Sequence, residues 1–239
     1  MQFEVVFVLT ILAVAVIVVV VWLRRGRKSA VMPYREARRT IIDSMTGFAV
    51  PRSAPPARPV GLDKRLPADK LREFQALWPP TKDNWGTYFD AFYLVIESIR
   101  DELALIDPEQ DWYELLSDAR RFVLVAYGLE SEVNNGGFDQ FFLNCAGDGA
   151  YAAPGALRAL GAMAAASLAE RANTQFPAGP PRDRTQRLAQ MDNLPAAAGE
   201  AWSALDSEFY ALDIPFGGIA AHLGGRFILD NPNEFYQPD

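Results

Sequence analysis

Apolar side chains fall in two patterns along this chain: one unbroken run near the start, and a series of stripes at helical spacing after residue 68. The run opens at Val5 and closes at Leu23, and Thr10 is the only polar residue among its 19 positions. As a helix it would extend roughly 28 Å, close to the hydrocarbon thickness of a bilayer. Nine of the 19 are Val, a weak helix former in water, but lipid offers the backbone no other hydrogen-bond partner. Farther on, the spacing predicts helices over 69–78 (Leu71, Phe74, Leu77, Trp78) and 87–105 (Phe89, Phe92, Ile96, Ile99, Leu103). It predicts another over 112–133, with Leu115, Leu116, Ala119, Phe122, Val123, Ala126 and Leu129 inward. Shorter helices are predicted over 138–144, 185–191 and 195–210, and an Ala-rich one over 156–172. Phe227, Ile228 and Leu229 fit a strand or a helix end, and no segment alternates convincingly. The fold class is therefore all-α: an N-terminal transmembrane helix, a Pro-rich linker and a compact acidic helical domain.

The flanks of the apolar run decide its topology. Trp22 stands at its end, and Arg24, Arg25, Arg27 and Lys28 follow at once. A cleaved signal peptide would instead carry a basic start and a small-residue cleavage site. The positive-inside rule places the basic flank in the cytoplasm. The expectation is a single-pass inner-membrane protein with its N-terminus outside and residues after 23 cytoplasmic. Residues 1–28 then form the anchor with its flank, 29–68 the juxtamembrane and Pro-rich linker, and 69–239 the acidic domain. Within the linker, Arg35, Arg38 and Arg39 lie beside Ile41, Ile42 and Met45, a pattern that suits either an amphipathic helix on anionic headgroups or a solvated tail. Pro51, Pro55, Pro56, Pro59 and Pro67 favour an extended, semi-rigid spacer.

Charge separates the two parts. Residues 1–82 hold 14 basic and 6 acidic side chains, a net of +8; residues 83–239 hold 9 and 24, a net of −15. The basic part suits a lipid surface, and the acidic part excludes direct nucleic-acid binding. One His and one Cys exclude a multi-histidine metal site and an intrachain disulfide. No metal or cofactor is expected. Cys145 reads as a small buried side chain and His222 as packed or surface. Gly217-Gly218 and Gly224-Gly225 lack the Lys-Ser/Thr of a phosphate loop.

The densest polar constellation is Glu130-x-Glu132-Val-Asn134-Asn135-Gly136-Gly137-Phe138-Asp139-Gln140, closing at Asn144. Gln140 and Asn144 share a helix face, and Glu130 or Glu132 could reach back across the turn. As a structural corner it predicts a positive φ at Gly136 or Gly137, with amides tying the turn. As a functional corner it offers a partner surface or, in a third reading, carboxylates for acid–base work. Acid pairs four residues apart (Glu97/Asp101, Asp107/Asp111 and Glu114/Asp118) stand about 6 Å apart along a helix axis, comparable to successive phosphates on a DNA strand. The same acidity also serves plain solubility.

The string E-x-E-V-N-N-G-G-F-D-Q-F-F-x-N resembles the signature of the bacterial DNA-mimic protein 19 family. The Ala-rich segment 156–172 is similar to the helix that follows it there, and Leu205-Asp206-Ser-Glu208-Phe209-Tyr210 is similar to a later "LD..FY" element. The resemblance covers roughly 85–235. It implies an acidic all-helical fold and a non-enzymatic role in which carboxylates imitate DNA before a basic, DNA-binding protein. The anchor and the linker are departures from that pattern. The sequence thus predicts a membrane-anchored protein that binds a basic partner through the acid pairs and the corner. An adaptor or immunity-type protein binding through the Asn-Gly-Gly corner is the alternative, a carboxylate enzyme a third reading, and a homodimer stays open.

Overall fold

In the computed structural model the described residues are 64–104 and 116–238; the expected membrane span, its basic flank, the connector to residue 63, and Asp107, Asp111 and Glu114 lie outside them. Among the described residues no helix is long and apolar enough to cross a membrane. They form eight α-helices, and their only β pairing is a single bridge, in which the Leu66 N–H donates to Phe235 O and the Gln237 N–H to Leu66 O, each at 2.8 Å. The backbone is thus held to the C-terminal turn from Leu66 onward.

The helices follow the apolar stripes. Helix α1 (Ala68–Leu77) buries Phe74 and ends before Pro79-Pro80. Helix α2 (Trp85–Leu103) buries Phe92, Ile96 and Ile99 as the spacing predicts, with Tyr88 and Val95 widening the stripe. Helix α3 (Asp118–Leu143) is the central element, and α2, the helices over Ala153–Ala159, Arg184–Asp192 and Ala196–Tyr210, and a 219–224 π-turn all pack on it. Its Val123, Ala126, Leu129 and Val133 are fully enclosed.

The Ala-rich segment is a correction. It is two helices, α4 (Ala153–Ala159) and α5 (Met163–Asn173), not one. Gly161 adopts φ +83°. The Ala162 N–H reaches back to Leu157 O at 2.8 Å and the Gly161 N–H to Arg158 O at 3.0 Å. That pair of bonds is a Schellman stop, which a left-handed glycine makes cheap. Helices α6 (Arg184–Asp192), α7 (Ala196–Tyr210) and α8 (Gly225–Asp230) complete the set, so Phe227–Leu229 is helical.

Aromatic rings fill the centre. Phe142 lies 4.9 Å from Phe176 and 5.0 Å from Trp202, centroid to centroid, and Phe138 meets Phe209 edge-on. The Trp202 indole N–H donates to Ala172 O at 3.0 Å, so burial of this ring leaves no polar atom unpaired.

Candidate functional site: the glycine corner and the acidic faces

The Asn-Gly-Gly corner is a break within α3. Gly136 has φ −164° and Gly137 φ +78°, ψ −178°, after which the helix resumes at Phe138. The positive φ expected of this pair therefore falls on Gly137. A restarted helix exposes its first amides, and Gly137 at its start has no side chain to offer them. A distant carboxylate does: Asp206 on α7 accepts the Phe138 N–H at 2.7 Å. A Cβ on Gly137 would stand 2.6 Å from the Asp206 carboxyl carbon, so the glycine is required twice. The Tyr210 hydroxyl, one turn along α7, donates to Val133 O at 2.7 Å on the other side of the break. The "LD..FY" element is thus the clamp of the Asn-Gly-Gly corner.

The same device occurs a second time. Gly218 has φ +82°, ψ −172° and precedes the 219–224 π-turn. Glu130 lies against it and accepts the N–H groups of Ile219 and Ala220, each at 2.7 Å, one per oxygen. Burial pushes the Glu130 carboxyl above its ordinary range, and the two amides pull it partly back. Its neighbour in the motif, Glu132, does reach back across the turn: one oxygen accepts from the side-chain amides of Gln140 at 2.7 Å and Asn144 at 2.8 Å. The amides expected to tie backbone groups of the turn bind this carboxylate instead.

Beyond the corner, α3 ends on two arginines of α6 that the sequence did not single out. The Arg184 Nε donates to Leu143 O at 2.9 Å. Arg187 is fully buried; it donates to Phe142 O, Asn144 O, Pro181 O and Arg182 O, and to the Asp148 carboxylate at 2.7 Å. Cations are favourable at a helix C-terminus, where carbonyls are left over. Burial raises the Asp148 carboxyl and Arg187 opposes it. Gly147 leaves room for this guanidinium, since a Cβ there would stand 2.9 Å from its Nε. Cys145, expected buried, is exposed: it opens the 145–149 turn, whose buried positions go to Gly147 and Gly149. His222 packs edge-on to Trp78 and its Nδ1 lies 2.9 Å from Phe216 O, in keeping with a packing role.

The predicted partner residues are therefore brought together unequally. Gly137, Phe138, Gln140 and Asn144 are buried and build the corner; Asn134 and Asn135 are exposed, and Gly136 and Asp139 are half-buried. Of the acid pairs, Glu97 and Asp101 lie on α2 and Asp118 opens α3. Asp90, Glu97 and Asp101 occupy positions i, i+7 and i+11, one face of α2, with Leu94 exposed between them. Nine arginines and no lysine follow residue 82. Among the described residues ion pairs join Arg100–Glu97, Arg120–Glu102, Arg121–Asp118, Arg158–Glu170, Arg171–Glu208, Arg187–Asp148 and Arg226–Asp230.

An acidic all-helical domain with two of its breaks, at Gly137 and Gly218, closed by glycine–carboxylate contacts is the class that fold and corner define. Residues 114–228 match the family model described as DMP19-like protein, the family that the motif resembles. No curated protein and no solved structure matches the chain.

Proposed function

We propose that this is a membrane-anchored, non-enzymatic interaction protein whose acidic domain occupies a basic, DNA-binding surface of a partner protein. The observation that carries the reading is the DMP19-like match over 114–228 within a segment of net charge −15. Internal pairing of the arginines supports it, because the surplus carboxylates are left to set the outward field. The face of α2 with Asp90, Asp101 and Glu97, the last also paired with Arg100, is the contact surface, and carboxylates four residues apart there match the pitch of phosphates. Asn134 and Asn135 are the corner's exposed contribution. The apolar run from Val5 to Leu23 would hold this domain at the inner membrane on its cytoplasmic side. At the corner both oxygens of Glu130 accept backbone amides, which ties that carboxylate to the fold.

The test is capture from a bacterial lysate on the detergent-solubilised chain at low and high salt. Recovery of basic, DNA-binding proteins that salt or added duplex DNA displaces is expected. A partner retained at high salt and indifferent to DNA would replace mimicry with the adaptor reading.

A further inference from the structure

A groove of about 660 Å³ opens between α4, the start of α5's last turn and the 176–180 loop. Its walls combine stiff apolar faces (Tyr151, Phe122, Pro154, Pro177 and Pro180) with the polar side chains of Arg158, Glu170, Asn173 and Thr174. Tyr151 is 72% exposed although it is a large ring beside other apolar side chains. Its prolines offer no N–H groups, so the groove supplies ring and pyrrolidine faces beside a few polar side chains. At the rim, Glu170 uses one oxygen on Arg158. In the wall, Asn173 donates to Ala150 O at 2.8 Å, which leaves its Oδ1 without a donor. Aromatic and proline faces flanked by a carboxylate are the chemistry that recognises an extended, proline-rich, arginine-bearing segment.

This chain contains such a segment: residues 52–59 read Arg-Ser-Ala-Pro-Pro-Ala-Arg-Pro. We propose that residues 52–59 dock in this groove of their own domain, with prolines against Tyr151 and an arginine on the free oxygen of Glu170. The position of the chain and its charge favour this occupant. The backbone is pinned at Leu66 beside Phe235, at the end of the turn that follows α8, and Phe227 of α8 packs edge-on against Phe122 in the groove wall. From residue 59 to residue 66 an extended chain spans up to roughly 23 Å. Once docked across that span, the segment would be held by a linker this short at an effective concentration in the millimolar range. Charge agrees as well: the segment carries Arg52 and Arg58 and no acid, whereas the domain is strongly acidic. This inference is independent of what the acidic face binds.

The experiment is disulfide trapping in the full-length protein in lipid nanodiscs, with Cys145→Ala to remove the native thiol. Thr174→Cys, on the groove wall, is combined with Ala57→Cys in the segment or, as a control, with Ala30→Cys outside it. Docking predicts rapid intrachain cross-linking of the 57/174 pair, slowed at least tenfold by the exposed change Tyr151→Ala and by replacing Pro55, Pro56 and Pro59 with Ser. The 30/174 pair should react at the slow rate throughout. Equal rates for both pairs, no effect of Tyr151→Ala and the Ser changes, or products formed only between chains would each overturn the proposal. Melting of the Tyr151→Ala protein at the unsubstituted temperature verifies that the groove variant is folded.

Discussion

Asp206 Oδ1 accepts the backbone N–H of Phe138 at 2.7 Å, across 68 residues of sequence. This is a helix N-cap supplied from another helix. The second half of α3 starts without a capping side chain of its own, and α7 brings a carboxylate to the place where the positive end of the helix dipole needs one. Gly137 makes the approach possible by lacking a Cβ and by taking a φ that other residues resist.

Gly137→Ala should therefore destabilise the domain by about 2–4 kcal/mol, combining backbone strain with displacement of Asp206. Gly136→Ala should cost far less, because φ −164° is extended backbone. Chemical denaturation of the two variants checks the difference. Asp206→Ala should cost about 1–3 kcal/mol through the lost cap, and the double change Gly137→Ala/Asp206→Ala should cost less than the sum, since the alanine methyl no longer meets a carboxylate. Strict additivity would show that the two residues act separately.

Much of the domain is legible in the sequence because its helices announce themselves locally. Phe92, Ile96 and Ile99 are buried as the 3–4 spacing requires, and the paired glycines at 136–137 mark the corner by composition alone. What the sequence hides is long-range. Nothing near Glu130 indicates that its partners are the amides of Ile219 and Ala220, and nothing near Arg187 marks it as the most deeply buried charge of the domain. A polar residue's role depends on which chain segment returns to meet it, and periodicity carries no such information. The Gly161 break was legible in principle, yet an Ala-rich stretch of high helix propensity masks a single glycine.

Arg187 makes a sharper stability prediction than any surface ion pair. It serves four backbone carbonyls and Asp148 from one planar guanidinium. Arg187→Met should destabilise by about 3–5 kcal/mol, because Asp148 loses its counter-charge and the carbonyls at the end of α3 lose their donors. Arg187→Lys should recover little, since three donors on one nitrogen cannot span acceptors arranged for a fork. Thermal melting distinguishes these from Arg226→Ala, where an exposed pair is lost and a change below about 1 kcal/mol is expected.

The exposure of Cys145 has a simple chemical consequence. The only thiol in the protein should react with a maleimide to completion in the folded state, at a rate that denaturant raises little. Labelling that requires unfolding would place the side chain inside the 145–149 turn instead.

Glu130 ties stability to pH with a sign opposite to that of most paired carboxylates. Its carboxyl titrates above the ordinary 4.5 in the folded protein because burial outweighs the two amides that bind it. Between the unfolded and folded values the native state holds more of the proton than the unfolded chain does. The contribution of protonated Glu130 is therefore complete below about 4.5 and is lost as pH rises through the folded-state value. Glu130→Gln cannot titrate, and its single acceptor oxygen leaves one of the two amides unserved, a fixed offset of about 1–3 kcal/mol. The stability advantage of the unsubstituted protein over Glu130→Gln should accordingly shrink as pH is raised from 4 to 7. Asp148, raised in the same direction, is present in both proteins and cancels from the comparison. An advantage that grows with pH would mean that the amides of Ile219 and Ala220 hold the charged form more strongly than burial opposes it, and the Glu130–Gly218 contact would then be a capping site of the ordinary kind.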